Sequence, residues 1–167
     1  MNRILEQVTS TEAIPEVADV DVQKIIVPVD LSGHSERTAS YAIALAKSFH
    51  ASIIFVHVFP AEPITELGAC DIHWSYPRER DAAKEKLVSF GDKMGRVYSR
   101  CETEFRIGDT AEQVRLAVAA WNADVIVTAS YHPGFLGHLL GLERAPQIVK
   151  RAPCPVIVYH ECSDGFE

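Results

Sequence analysis

The chain has no apolar run approaching the ~20 residues that a membrane-spanning helix needs, so membrane insertion is not expected. It is also short of positive charge. With a formal net charge of −7, and Lys150–Arg151 as its one adjacent basic pair, it lacks the basic face that binding nucleic acid requires. Cysteine is sparse: Cys70, Cys101, Cys154 and Cys162 form no C-x-x-C pair and no zinc-type spacing. Cys70 and His73 supply two ligand types but not a site, so no metal is expected, and the four thiols should be reduced. The first twenty residues hold Glu6, Glu12, Glu16 and Asp19 and no apolar h-region, so they do not read as a signal peptide. There is no internal repeat. Together these absences point to a cytoplasmic protein.

What is present suits one globular domain. The chain has 167 residues, of which 47% are hydrophobic and 23% charged, enough for one full core and too few for two comfortable domains. Residues 1–20 are acidic and interrupted by Pro15, and read as a flexible extension. The domain itself is expected over 21–162, with a tail at 163–167.

The organising stretch is residues 24–30, Lys-Ile-Ile-Val-Pro-Val-Asp. Its β-branched run suits a strand buried on both faces, and Asp30 stands where it ends. Beyond the carboxyl end of a central strand in a doubly wound sheet is where ligands bind. Taken alone, Asp30 reads more simply as a cap for the next helix, together with Ser32. That helix is expected over about 35–49, with Ala39, Ala42, Ile43 and Ala46 as a small-residue face. His34, near its start, reads as an exposed turn histidine. Residues 52–59 form a second buried strand, in which His57 reads as a core histidine bonded to the backbone rather than a general base.

Residues 60–76 read as a long loop carrying Trp74, and Pro77 as the boundary of a helix over 78–100. Leu87, Phe90, Met94 and Val97 make the apolar stripe of that helix, and Gly91 and Gly95 weaken it. Residues 102–107 alternate like an edge strand. Asp109 and Glu112 then stand at capping-box separation before a helix faced by Val114, Ala117, Val118 and Trp121. A fourth strand follows at 124–130, then a glycine-containing stretch (131–144), a helix to about Arg151, and a fifth strand at 156–160. This alternation predicts an α/β fold: a single doubly wound domain with a five-stranded parallel sheet and helices on both faces.

Five fragments, in order, resemble the universal stress protein family over residues 24–159. They are Ile-Val-Pro-Val-Asp-Leu-Ser, Val-His-Val, Gly-Asp-Thr-Ala-Glu, Ala-Asp-Val-Ile-Val-Thr-Ala-Ser and Arg-Ala-Pro-Cys-Pro-Val-Ile-Val. The resemblance implies the adenine-nucleotide α-hydrolase-like fold with the first strand central. It also implies a homodimer made through the last strand, here Val156, Ile157, Val158 and Tyr159. ATP or AMP is the implied ligand, with Pro28, Asp30 and Val58 on the base side, Ala129, His132, Gly141 and Leu142 toward the phosphates, and Thr128 among the nucleotide-binding positions.

The phosphate side departs from the family pattern. Ala129 and His132 replace two glycines, Gly141 falls one residue early, and Leu142 replaces a hydroxyl residue. The leading expectation is therefore a cytoplasmic stress-response regulator that dimerises and acts through a protein partner, with an altered ATP loop and no established cofactor. The alternative is an adenine-nucleotide sensor in which His132 or His138 replaces a lost phosphate contact. A further alternative is an adenylating enzyme or ATP hydrolase of the wider fold. Ser32-Gly33-His34-Ser35 faintly resembles the loop of the pyrophosphatase-type synthetases, but the second glycine and the aspartate are missing. No catalytic residues are assigned, because no nucleophile–base–orienter set is visible.

Overall fold

The computed structural model describes residues 20–61, 70–130 and 144–160, with backbone alone at 70–75 and 144. The extension, the tail, His132, His138, Gly141 and Leu142 lie outside them, as do the side chains of Cys70, His73 and Trp74.

Five strands and four helices alternate along the described chain: β1 Lys24–Pro28, α1 Gly33–Phe49, β2 Ser52–Phe59, α2 Cys70–Val97, β3 Cys101–Ile107, α3 Thr110–Trp121, β4 Val125–Ser130, α4 Arg144–Arg151 and β5 Val156–His160. All pairings are parallel, and the sheet order is β3-β2-β1-β4-β5, so the first strand is central as expected. The chain winds outward from β1 through β2 to β3, then crosses back to place β4 on the other side of β1. The strand order therefore reverses between β1 and β4.

Period-two alternation splits the core into two layers. Ile25, Val27, Ile53, Phe55, Val125 and Val127 pack against α1 and α2, whereas Ile26, Ile54, Val56, Val58 and Ile126 pack against α3 and α4. The small face of α1 (Ala39, Ala42, Ile43, Ala46) is fully enclosed in the first layer. Small side chains let that helix lie close to the sheet. Asp109 caps α3 as expected, its side chain accepting from the Glu112 N–H at 3.0 Å. The reciprocal half of a capping box does not form, because the Glu112 carboxylate is bonded to Arg115.

Two expectations are corrected. Residues 70–76 are helical, so α2 begins well before Pro77 and runs through it. An internal proline costs ~3 kcal/mol or more, but here the helix is tied to the end of β2. The Tyr76 hydroxyl donates to the Pro60 carbonyl at 2.9 Å, and its ring meets Phe59 edge to face. Val97, read as part of the buried stripe, is 56% exposed, because α2 ends on it. Tyr98 closes that end of the core instead, packing on the first layer and donating to the Ala51 carbonyl at 2.6 Å.

Gly91 and Gly95 also differ in role. A Cβ at Gly91 would stand 2.6 Å from the Thr103 methyl on β3, so this glycine lets α2 lie against the sheet. A Cβ at Gly95 would meet nothing within 4 Å. Gly95→Ala should therefore stabilise the protein by about 0.5–1 kcal/mol through helix propensity. Gly91→Ala should destabilise it by about 1–3 kcal/mol through overpacking against a stiff β-branched neighbour. Urea unfolding of both variants checks the opposite signs.

Candidate functional site

At the switch point the β1–β4 ladder stops for want of a backbone donor. Val29 N–H donates to the Val56 carbonyl at 2.9 Å, so odd-numbered donors of β1 face β2 and even-numbered ones face β4. Pro28 is even-numbered and has no N–H. On β4, the Ile126 N–H goes to the Pro155 carbonyl, which turns the neighbouring Val127 backbone toward β1. Val127's carbonyl thus faces the place where Pro28 would have donated. Register pairs between β1 and β4 are accordingly Ile25 with Val125 and Ile26 with Ile126, whereas β1 and β2 stay paired from Lys24 through Pro28. The carboxyl ends of β1 and β4 are free to part.

Asp30 follows immediately, and its carboxylate organises the loop rather than capping α1. Oδ1 accepts three hydrogen bonds: the Ser32 N–H at 3.0 Å and the hydroxyls of Ser32 and Ser35, each at 2.6 Å. The Asp30 N–H donates to the Ser35 hydroxyl oxygen at 3.1 Å, closing the ring. The N-cap position of α1 is Ser32, whose side chain makes no capping bond because it is spent on Asp30. Leu31, between them, is left-handed with φ 61°, a conformation costly for a residue with a Cβ. The Asp30 network holds it there. From the β2 side, His57 Nδ1 lies 2.8 Å from the Val29 carbonyl. A carbonyl can only accept, so Nδ1 carries the proton, and the buried histidine fixes the peptide leading into the loop.

The sequence-predicted residues fall into three places. Pro28 and Asp30 at the end of β1, with Thr128 and Ala129 at the end of β4, flank the switch point. Val58, near the end of β2, shares the α3-side layer with Ile126, and by alternation Thr128 shares that face. Ala129 sits inside β4 beside Tyr159, and its φ is not positive. A glycine would therefore serve there through its missing Cβ rather than its backbone freedom. Val156 to Tyr159 form the β5 edge, each half-buried, and Tyr159 stacks on Tyr41 with ring centroids 5.2 Å apart. Sequence reasoning passed over Ser35 and the His57–Val29 contact as parts of the site. The signal was available: serines at +2 and +5 from the aspartate.

Among the described residues, no group of three or more His, Cys, Asp or Glu could hold a metal ion, and no helix is long and apolar enough to cross a membrane. Burial pushes the Cys101 thiol up to about 11 and raises that of Cys154 as well, which leaves both poor nucleophiles at neutral pH.

For Asp30, desolvation acts to raise the pKa, but the Ser32 and Ser35 hydroxyls and the backbone N–H groups outweigh it and hold the carboxyl below its usual value. The stabilisation is therefore fully present above the unfolded-state value of about 3.9 and is lost as pH falls through the lower folded-state value. Asp30→Asn should cost about 1 kcal/mol near pH 7, a figure already reduced for solvent exposure. The gap between the two proteins should begin to narrow as pH falls below about 3.9 and should close once pH passes the lower folded-state value, where wild type loses its charge too. Urea unfolding at pH 7, 5 and 3 measures it; a gap unchanged at pH 3 would contradict the network's role.

With this geometry in place, the comparisons are specific. Residues 21–160 match the model of the universal stress protein family. A universal stress protein of Methanocaldococcus jannaschii is 28% identical over 141 residues, covering 81% of each chain. The solved structure of a Lactobacillus plantarum universal stress protein superimposes with a TM-score of 0.67 at 19% identity, covering 84% of this chain and 99% of that one. A universal stress protein of Archaeoglobus fulgidus, solved in complex with dAMP, gives a TM-score of 0.56 at 18% identity, covering 83% and 98%. A central β1 ending in Pro-Val-Asp, a strand order that reverses beside it, and a family match across nearly all of the described chain lead to one conclusion: this chain belongs to the universal stress protein family.

Proposed function

We propose that this protein is a cytoplasmic stress-response regulator that takes an adenine nucleotide base-first into the crevice between β1 and β4. It binds rather than turns the nucleotide over, and acts on a protein partner as a homodimer joined through β5. The observation that carries the reading is the switch point itself, where the β1–β4 ladder stops at Pro28 beside a carboxylate held ionised in a fixed loop. The dAMP complex of the Archaeoglobus fulgidus relative supports the ligand class. Asp30 is a weak base at neutral pH for the reason given above, which favours binding over proton-transfer catalysis.

The phosphates should contribute little. Leu142 lacks a hydroxyl worth ~1.5–3 kcal/mol toward a charged acceptor, and Ala129 and His132 add bulk where a phosphate would approach the backbone. ATP should bind no tighter than about 0.1 mM at neutral pH, with AMP within about tenfold of it. Residual affinity should rise below about pH 6.5 if a protonated His132 contacts phosphate. Ala129→Gly/His132→Gly/Leu142→Ser should tighten ATP more than AMP. Calorimetry with both nucleotides, and mass spectrometry of whatever copurifies from cells, decide the matter. Micromolar ATP with far weaker AMP would overturn the base-first reading.

The dimer is supported by β5 lying at the sheet edge with a half-buried apolar run, which exposes an unpaired ladder to association. Val158→Lys should give a monomer in sedimentation velocity. A variant that remains dimeric would move the interface elsewhere.

A further inference from the structure

Thr128 stands out among the buried polar side chains. It is 4% exposed, and its hydroxyl makes no hydrogen bond to any described residue. The others are partnered: Ser35 with Asp30, His57 with the Val29 carbonyl, and Thr38 toward the His34 carbonyl. Buried hydroxyls are ordinarily satisfied, because leaving one unpaired forfeits its hydration without return. Thr128 follows Ile126 and Val127 in a strand where valine would fill the same volume with no such cost. Its position is equally particular. Extending the Ile26–Ile126 register by two residues brings Thr128 opposite Pro28, where the ladder ends. The adjoining Val127 carbonyl has lost its β1 donor there. Among the described residues, the Thr128 hydroxyl and, by strand parity, the Val127 carbonyl thus both lack a partner where the β1–β4 ladder ends.

Their chemistry restricts what can enter. Val127 offers an acceptor, Asp30 a carboxylate held ionised, and Thr128 a group that donates or accepts. A phosphate would face two acceptors and be repelled. An uncharged ligand edge carrying a donor beside an acceptor would be matched, the donor going to the Val127 carbonyl and the acceptor to the Thr128 hydroxyl. We propose that Thr128 is a specificity-determining residue of the switch-point crevice, its hydroxyl bonding the neutral, donor-and-acceptor edge of a nucleoside. This rests on the nucleotide reading above and deepens it, because it assigns discrimination to the nucleoside part and to one side chain.

Two readouts on the full chain test it, using adenosine, AMP and inosine monophosphate as probes. Thr128→Val keeps shape and removes the hydroxyl; Thr128→Ser keeps the hydroxyl. In the absence of ligand, Thr128→Val should melt at the same temperature as wild type or higher, because an unpaired buried hydroxyl is replaced by a methyl. A lowered melting temperature would show that the hydroxyl serves the fold, and would overturn the proposal whatever the binding data. With ligand, Thr128→Val should weaken adenosine, AMP and inosine monophosphate alike by about tenfold, because each base carries a donor beside an acceptor, whereas Thr128→Ser should bind like wild type. Equal AMP binding by wild type and Thr128→Val would overturn the role of Thr128 while leaving the nucleotide reading intact. If wild type binds none of the three probes, the nucleotide reading and this inference fall together.

Discussion

The structure turns on one missing hydrogen-bond donor in its central strand. A proline in the middle of a sheet removes a ladder bond and is ordinarily confined to edges or strand ends. Pro28 meets that rule by being the last residue of β1, yet β1 lies between β2 and β4, so the loss falls inside the sheet. Parity decides which side suffers. The β2 side continues past it through the Val29–Val56 bond, and His57 adds a side-chain hold on the Val29 carbonyl. The β4 side receives nothing after Ile26. One flank of the strand end is anchored and the other released, at the place where strand order reverses. Topology alone would put a crevice there; the proline determines that β1 does not zip it shut.

The loop leaving β1 is built to be fixed rather than compliant. Asp30 gathers three donors on a single oxygen, and the ring of bonds through Ser32 and Ser35 ties it to the first turn of α1. Concentrating the donors on Oδ1 has a consequence for binding. Among the described residues no donor reaches Oδ2, so the carboxylate keeps acceptor capacity while its position is already set. A ligand meeting such a group does not have to order it, which is how preorganisation contributes to affinity without adding contacts.

The fold was legible because buried parallel strands carry a strong local signal. Ile25, Ile26, Val27 and the run from Ile53 to Val56 are almost wholly buried, as continuous β-branched runs suggest. Where the reading failed, a distant contact had overruled a local rule. Pro77 looked like a helix start because nothing nearby in sequence shows that Tyr76 reaches back to Pro60 and Phe59. Gly91 looked like a simple weakness because its neighbour, Thr103, is twelve residues away on another element. Asp30 was placed correctly at the strand end, but its use was misjudged: an aspartate two residues before a serine fits a cap and a turn equally well. The end of β1 could thus be picked out from strand chemistry as a place where a ligand could lie, whereas roles for the residues around it were assignable only through the family resemblance.

The distribution of local cost supports reading this corner as functional. Among the described residues, three other than glycine adopt positive φ: Leu31, His50 and Asn122. His50 and Asn122 stand at the C-terminal ends of α1 and α3, where the left-handed conformation is an ordinary way to stop a helix. Leu31 ends no helix. It lies between a strand and a helix start, carries a branched apolar side chain, and forgoes ~1–2 kcal/mol relative to a right-handed conformation. The Thr128 hydroxyl, which has no partner among the described residues, is the second such cost, of about 1–3 kcal/mol. Against a typical net stability of about 5–15 kcal/mol these are large concessions, and among the described residues both sit at the carboxyl ends of β1 and β4. Alternatives are close at hand, since glycine would relieve the first and valine the second. Each cost could be removed by one substitution, and both lie beside the position where Pro28 ends the β1–β4 ladder, which is where strain kept for a purpose other than folding would be expected.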